Sequence, residues 1–342
     1  MNGRMKQVVL RAHPQGEPRP EDFAIESVDI PVPASGQVLL RTIWLSLDPM
    51  IRLSLDAVPL TGPSRVRIGE PVYGAAVSQV MASSNAGFAI GEFVEGRTGW
   101  REYAAIDPSL TPLRKIDPQA APLSTAVGVL GMPGQTAHAC VIGVGRVATG
   151  ETVVISAAAG AVGSIAGQIG KISGARVVGI AGGAAKCAAV EALGFDACVD
   201  YKAADFPARL AAAVPGGIDV YIDNVGGAVT DTVLPLLKYR ARMPVCGFIS
   251  YYGIGREGPG PDRLPGFMRT IMSKGLEVRG FAGTLVGGAA ALKDLAEWVK
   301  AGRIRHPETI FNGIESALAA FAGTFRGNDY VGKLLVRVAA HP

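Results

Sequence analysis

The stretch from Thr152 to Gly182 constrains this chain most. It opens with Thr152-Val153-Val154-Ile155-Ser156-Ala157, an apolar run rich in β-branched residues that reads as a buried strand. A turn of small residues follows, Ala157-Ala158-Ala159-Gly160-Ala161-Val162-Gly163, then a helical pattern from Ile165 to Ile172 and a second buried strand from Ala175 to Ile180. Strand, tight turn, helix and strand at this spacing form the βαβ unit of a dinucleotide site. The turn must be small because its backbone approaches a pyrophosphate, which rests on the free N–H groups and positive end of the helix. Ala158 takes the first glycine position of the fingerprint, and Gly160 and Gly163 take the second and third. Gly160, Ala161, Val162 and Gly163 are therefore candidate cofactor residues.

The end of the second strand speaks to which dinucleotide. NAD sites usually place Asp or Glu there, to bind the ribose hydroxyls. Here the chain reads Gly179-Ile180-Ala181-Gly182-Gly183-Ala184-Ala185-Lys186, with no acid. Lys186 falls in the first turn of the next helix, where a cation meets the helix's positive end unless an anion is present. NADP(H), with its 2′-phosphate, is therefore preferred to NAD(H), and Gly182 and Lys186 join the candidate site.

With 342 residues, 49% hydrophobic and 18% charged, the chain suits two domains with substantial cores. The net charge of +4 is spread along the sequence with no basic stripe, which argues against nucleic acid. No apolar run reaches the roughly 18 residues of a membrane span, and the opening segment lacks a signal-peptide core. The four cysteines and four histidines are scattered, with no zinc-like cluster. A soluble cytoplasmic protein with free thiols and no metal is expected.

The first half reads as β-rich: Gln7–Leu10, a long strand from Gln37 to Trp44, and pieces near Val66–Ile68, Pro71–Met81 and Glu92–Ile106. A helix is expected over Ala126–Val141. Alternation then continues, with helices near 184–193, 206–214 and 229–237 and strands at 197–201, 218–223, 243–249 and 276–281. A Gly/Pro loop spans Gly253–Pro265, a short helix Gly266–Ser273, and a last helix about 289–300. The pattern predicts an α/β Rossmann domain with a doubly wound parallel sheet, over 126–305, beside a β-rich domain over 1–125 completed by 306–342. The final strand, Lys333–Val338, is expected to return to that first domain.

Taken together, several segments resemble one family. They are Trp44-Leu45-Ser46-Leu47-Asp48-Pro49, Gly131-Met132-Pro133-Gly134, the Ala157–Gly163 turn, Gly194-Phe195-Asp196, Asp223-Asn224-Val225-Gly226-Gly227, Cys246-Gly247 with Ile249-Ser250, and Gly332-Lys333. In this order they resemble the zinc-independent medium-chain dehydrogenase/reductases, in the branch of prostaglandin reductases, leukotriene hydroxydehydrogenases, plant double-bond reductases and curcumin reductase-like enzymes. The resemblance implies a GroES-like β domain around the Rossmann domain, a homodimer, and NADPH-dependent reduction of a carbon–carbon double bond conjugated to a carbonyl. It assigns Lys186 and Tyr201 to the 2′-phosphate. It sets Asn224, Cys246, Gly247, Ile249, Ser250, Phe281, Ala282 and Gly283 along the cofactor and Tyr252 in the active site. Met50, Ile51 and Tyr330 depart from the family pattern: relatives carry Tyr-Met at the first two and an asparagine near the nicotinamide at the third. Asn328 lies two positions early. Met50 and Tyr73 are expected to line the substrate, together with Tyr252.

In such a reaction negative charge develops on the carbonyl oxygen, which calls for a positioned donor. A tyrosine, with an ordinary pKa near 10, stays protonated at neutral pH and can donate. From the residues alone, Tyr252 is either that donor or, with Tyr251, a packed rim; the resemblance favours the donor. Arg52 reads equally as a substrate or phosphate ligand and as a structural ion pair. Two other functions stay open: a zinc-free quinone reductase or hydroxydehydrogenase, and an NADPH-binding sensor or scaffold with little turnover.

Overall fold

The structure, a computed structural model, describes residues 3–57, 65–253 and 262–341. The chain divides into two units: residues 1–128, 308–328 and 334–342 in one, and 129–307 with 329–333 in the other. The first carries β1 (Arg4–Leu10), β2 (Phe23–Asp29), β3 (Val38–Ser46), a one-turn helix α1 (Ile51–Ser54), β4 (Ala76–Ser83), β5 (Phe93–Gly96), β6 (Tyr103–Ile106) and β7 (Arg114–Ile116). The second carries α2 (Met132–His138), β8 (Thr152–Ser156), α3 (Ala161–Ile172), β9 (Arg176–Ala181), α4 (Ala184–Ala192), β10 (Ala197–Asp200) and α5 (Phe206–Ala213). It continues with β11 (Ile218–Ile222), α6 (Gly227–Val233), β12 (Leu237–Val245), α7 (Leu264–Lys274), β13 (Glu277–Gly280) and α8 (Gly283–Lys300). The chain then returns to the first unit as β14 (Glu308–Asn312), α9 (Ala317–Phe325) and β15 (Lys333–Arg337).

In the second unit six parallel strands run in the order β10-β9-β8-β11-β12-β13. This is the Rossmann order, with its switch point between β8 and β11. Strands β8, β9 and β11 are covered on both faces, so they are largely apolar and alternate residues enter opposite cores. Val153 and Ile155 pack with Ile165, Ile169 and Leu295 on one side. Val154, Val178 and Tyr221 pack with Phe206, Leu210 and Val233 on the other. In the first unit β15 enters a seven-stranded sheet beside β3, pairing Leu335 with Ser46 and Arg337 with Trp44. Its core centres on Trp100, whose ring meets Phe321 edge-on at 5.4 Å between centroids. The final strand thus joins the β-rich unit as expected.

Several local expectations change. The helix expected over 126–141 begins only at Met132, because Gly128 and Gly131 hold non-helical dihedrals (φ −122°, ψ −114° and φ −128°, ψ −156°). It then loosens into a π-helical stretch from Ala139 to Val144. The segment Val66–Ile68 is not a strand; Val66 instead donates its N–H to Ser54 O at 2.9 Å. Strand β12 starts at Leu237 rather than Met243 and ends at Val245, so Cys246 to Ile249 lie beyond it. Its arginines obscured the pattern, and Arg240 turns to φ +61° where the pairing with β11 slips. The helix expected over 229–237 stops at Val233, giving way to a tight turn containing Pro235. Helix α8 is broken at Gly288 (φ 52°, ψ −140°), just before the expected start of the last helix, and α9 follows it unforeseen. Of the expected Gly253–Pro265 loop, residues 254–261 lie outside the described residues, and α7 already begins at Leu264.

Candidate active site

The candidate cofactor residues gather beyond the carboxyl ends of the parallel strands, where open α/β sheets take ligands. After β8 the chain turns through Ala157 at φ +49°, a left-handed value uncommon for a residue with a Cβ. Gly160 then caps α3 in extended conformation. The first intrahelical bond runs from Ser164 N–H to Gly160 O at 3.0 Å, so the N–H groups of Ala161, Val162 and Gly163 have no partner within the helix. A Cβ on Gly163 would stand 2.4 Å from Ala157 O and 2.8 Å from Ala158 Cα. The close packing that glycine permits here is what a pyrophosphate cradle requires, and the residues fit a dinucleotide.

At the end of β9, Gly183 takes φ +95° and begins α4. Its N–H donates to Asp200 Oδ1 at 2.8 Å, and the Lys202 N–H donates to the same oxygen at 2.9 Å. These two bonds hold the Asp200 carboxyl below its ordinary pKa. Tyr201 is 43% exposed, and its ring lies 2.8 Å from where a Gly182 Cβ would be. Lys186 is half-buried in the first turn of α4; burial lowers its pKa, Asp329 raises it and Lys202 lowers it further. The structure therefore brings Gly182, Lys186 and Tyr201 together, with Lys202 and Asp329 beside them.

Past β11 and β12 two loops interlock. Asn224 Nδ2 donates to Ser156 O at 2.7 Å, its Oδ1 accepts the Cys246 thiol at 2.9 Å, and its N–H donates to Ser156 Oγ at 2.9 Å. A Cβ on Gly247 would stand 2.7 Å from Asn224 O. Ser250 Oγ and N–H both donate to Val225 O. Beneath them lies Asp223, which sequence reasoning passed over beyond its place in a motif. Its buried carboxylate accepts from Ser156, Tyr221, Thr230 and the N–H groups of Val225 and Gly226. The Cys246 thiol is thus part of this packing.

Tyr252 follows the short helical turn Ile249–Tyr251. Its phenolic oxygen accepts the Phe248 N–H at 3.2 Å, so the hydroxyl proton is what it can offer a substrate. Burial pushes its pKa above the ordinary tyrosine value. Tyr251 instead stacks its ring on that of Phe248, 4.2 Å between centroids, so the adjacent tyrosines meet Phe248 in different ways, one at the ring and one at the backbone. Phe281 packs against the core, and Gly283 lets α8 approach α2: a Cβ there would stand 2.4 Å from Thr136 Oγ1. Ala282 caps α8. Tyr330 lies on the segment 329–333, held to the dinucleotide turn by the Gly332 N–H on Ala159 O (2.7 Å) and a parallel bridge from Gly160 to Gly332.

Within the β-rich unit, Met50 precedes α1 and Tyr73 is half-buried with the Arg97 guanidinium 5.4 Å from its ring centroid. Burial pushes the Tyr73 phenol up. Arg52 is 2% exposed; it pairs with Asp56 and donates to Gly16 O and Pro14 O. Its guanidinium is engaged in structure, which settles the choice left open above. Among the described residues no three His, Cys, Asp or Glu side chains gather as a metal ion would need.

Two family models match: residues 6–113 to the N-terminal domain of oxidoreductases and 161–301 to the domain described as a zinc-binding dehydrogenase. Over 340 residues the chain is 44% identical to the NADPH-dependent curcumin reductase of Escherichia coli (strain K12), covering 98% of this chain and 97% of the relative. It is 36% identical to prostaglandin reductase 1 of Oryctolagus cuniculus, over 96% and 92% of the two chains. The crystal structure of CurA from Vibrio vulnificus in complex with NADPH superposes with a TM-score of 0.92 at 42% identity, over 98% and 100%. A Rossmann sheet with this turn and a GroES-like β unit in one chain define the medium-chain dehydrogenase/reductase class. The chain belongs to that family, in its zinc-independent double-bond reductase branch.

Proposed function

We propose that the protein reduces the carbon–carbon double bond of α,β-unsaturated ketones and aldehydes with NADPH. The observation that carries this is the end-to-end likeness to the NADPH-dependent curcumin reductase. The site agrees: a fitted dinucleotide turn, Lys186 with no acid at the end of β9, and a protonated tyrosine beyond β12. Gly160, Ala161, Val162 and Gly163 would hold the pyrophosphate, Gly182, Lys186 and Tyr201 the phosphorylated ribose. Asn224, Cys246, Gly247, Ile249, Ser250, Phe281, Ala282, Gly283 and Tyr330 would line the rest. When bound, NADPH supplies the hydride for the β-carbon. Tyr252 donates its hydroxyl proton as a hydrogen bond to the substrate carbonyl oxygen, where charge grows as the double bond is reduced. Met50 and Tyr73 are proposed as substrate residues from their register.

The reading is tested by following oxidation of NADPH, and of NADH, against an alkenal, an aryl enone and a quinone, with a secondary alcohol tested in the NADP⁺ direction. Turnover of the enones to saturated carbonyls is expected. Turnover of the quinone alone would replace the reading with a quinone reductase, and binding of NADPH without turnover would point to a sensor. Replacing Tyr252 with phenylalanine should lower kcat by about tenfold to a hundredfold, somewhat less than a preorganised oxyanion donor is worth elsewhere. Because burial raises the Tyr252 pKa, the donor persists above pH 10 and is lost only as pH climbs past its raised value. An alkaline limb of kcat well below pH 10 would assign the titration, and the donor role, to another group.

No helix among the described residues is long and apolar enough to cross a membrane. We place the enzyme in the cytoplasm, in keeping with four unpaired cysteines. We also propose a homodimer. Among the described residues, strand β13 ends the parallel sheet with an open edge, and α7 exposes Leu264, Met268 and Met272 at four-residue spacing on one face. A second copy related by a twofold axis pairs edge with edge and covers that stripe. Met272, 78% exposed, is the place to test it. Met272→Asp should shift the mass found by light scattering from dimer to monomer at micromolar protein; a variant as dimeric as the wild type would remove the stripe from the interface.

A further inference from the structure

The turn after β9 holds more charge than one lysine. Gly182 and Gly183 lie between two unlike side chains. A Cβ on Gly182 would stand 3.1 Å from Lys202 Cε, and a Cβ on Gly183 would stand 3.9 Å from Asp329 Oδ1. Lys186 follows three residues on. Lys202 is fixed from one side, its N–H held by the same Asp200 oxygen that holds the Gly183 N–H. Asp329 arrives from the other, on the segment that Gly332 ties to Ala159 and Gly160. Both are thus anchored through backbone contacts, and both act on the charge of Lys186, the carboxylate favouring it and the ammonium opposing it.

We propose that Lys202 and Asp329 set the strength of 2′-phosphate recognition, Lys202 as a second cation on the phosphate and Asp329 as an internal anion that balances Lys186 until the phosphate arrives. The proposal rests on the NADP(H) reading above and goes further than it. Asp329 offsets part of the Lys186 charge, which weakens the site for a group of about two negative charges. Lys202 adds the missing positive charge. Asp329 does the reverse: it repels the phosphate and leaves a cofactor without one unaffected. A lysine with no acid after β9 therefore overstates the preference for NADP(H), because an acid reaches the same place from residue 329.

All three charges are at least partly exposed, and solvent keeps each interaction to about 1 kcal/mol, or about fivefold in affinity. The test is calorimetric binding of 2′,5′-ADP and 5′-AMP, which differ only in the 2′-phosphate, to the full chain. Lys186→Ala serves as the reference variant. Lys202→Met should weaken 2′,5′-ADP about fivefold and leave 5′-AMP within twofold, and Lys202→Arg should retain the affinity. Asp329→Asn, which keeps the side chain's shape, should tighten 2′,5′-ADP about threefold to fivefold with 5′-AMP unchanged. Equal weakening of both nucleotides by Lys202→Met, or unchanged or weaker 2′,5′-ADP binding by Asp329→Asn, would overturn the proposal. A wild-type chain that binds both nucleotides equally would show that the NADP(H) reading itself fails, an outcome separate from either variant's result.

Discussion

Replacing Asp223 with alanine is expected to destabilise the Rossmann unit by about 3–5 kcal/mol, a size typical of breaking a buried charged network. The carboxylate is 2% exposed. Its Oδ1 accepts from Ser156 Oγ (3.1 Å), Tyr221 OH (3.0 Å) and the N–H groups of Val225 and Gly226 (each 2.9 Å). Oδ2 accepts from Thr230 Oγ1 at 2.7 Å. None of these donors is charged, so the carboxylate is held by dipoles alone. Alanine would leave five donors without that acceptor, each costing about 1–3 kcal/mol if wholly unsatisfied. The sum is not reached, because the freed Tyr221 and Thr230 hydroxyls, 3.0 Å apart, can then bond each other and water can enter the gap. For a domain of this size the melting temperature should fall by roughly 10 °C. The loop that Asp223 organises carries Asn224 and supports Ser250, so cofactor affinity should fall as well. Thermal melting with and without NADPH measures both effects. A melting temperature within a degree or two of wild type would mean the loop holds itself.

The second large effect is expected at Gly163. Valine there should weaken NADPH by at least about a hundredfold, roughly 2.7 kcal/mol. The atoms in the way of its Cβ are Ala157 O at 2.4 Å and Ala158 Cα at 2.8 Å, both backbone, and neither can turn aside as a side chain would. Relief requires the turn after β8 to move away from the first turn of α3, which separates the N–H groups meant to share one pyrophosphate. Gly160→Ala provides the contrast. Its Cβ would stand 3.2 Å from Ala157 O, a contact that a shift of a few tenths of an ångström relieves, so a much smaller loss is expected. Equilibrium binding followed by nucleotide fluorescence, on variants whose circular dichroism is unchanged, gives the comparison. Near-wild-type binding by Gly163→Val would mean the pyrophosphate does not rest on this turn.

The parallel strands were legible because burial on both faces demands continuous apolar, β-branched runs, and Thr152–Ser156 or Ile218–Ile222 can be little else. Where only part of a strand is buried the signal fades. Strand β12 presents Leu237, Ala241 and Met243 inward with arginines between, so only its second half stood out. Strand β2 mixes buried Phe23 with acids, and the small residues of α9 lacked a flagging charge pattern. Glycines misled in the other direction: the run after Ala126 reads as helix until Gly128 and Gly131 take non-helical dihedrals. In the site, backbone roles could be read from residue type, since a turn needs glycine whatever surrounds it. The roles of Asp200, Lys202, Asp223 and Asp329 could not. Each depends on which groups from other elements the fold brings near, and Asp329 comes close enough to act on Lys186 only because the chain returns after more than a hundred residues.

That return has a consequence for how the chain comes to be folded during synthesis. Strand β15 sits beside β3, with Leu335 opposite Ser46, so the β-rich sheet cannot close until residues 333–337 have left the ribosome. The Rossmann strands, by contrast, lie within one stretch between residues 152 and 280 and can assemble as they emerge. The opening half must therefore wait, with the β3 edge meant for β15 unpaired, while a later segment folds ahead of it. Gly332, which bridges Gly160, emerges just ahead of that strand, so the dinucleotide turn gains this support as the sheet gains its missing strand. Nascent chains arrested before residue 330 should accordingly expose the β3 edge to proteases, and chains extended past residue 337 should not.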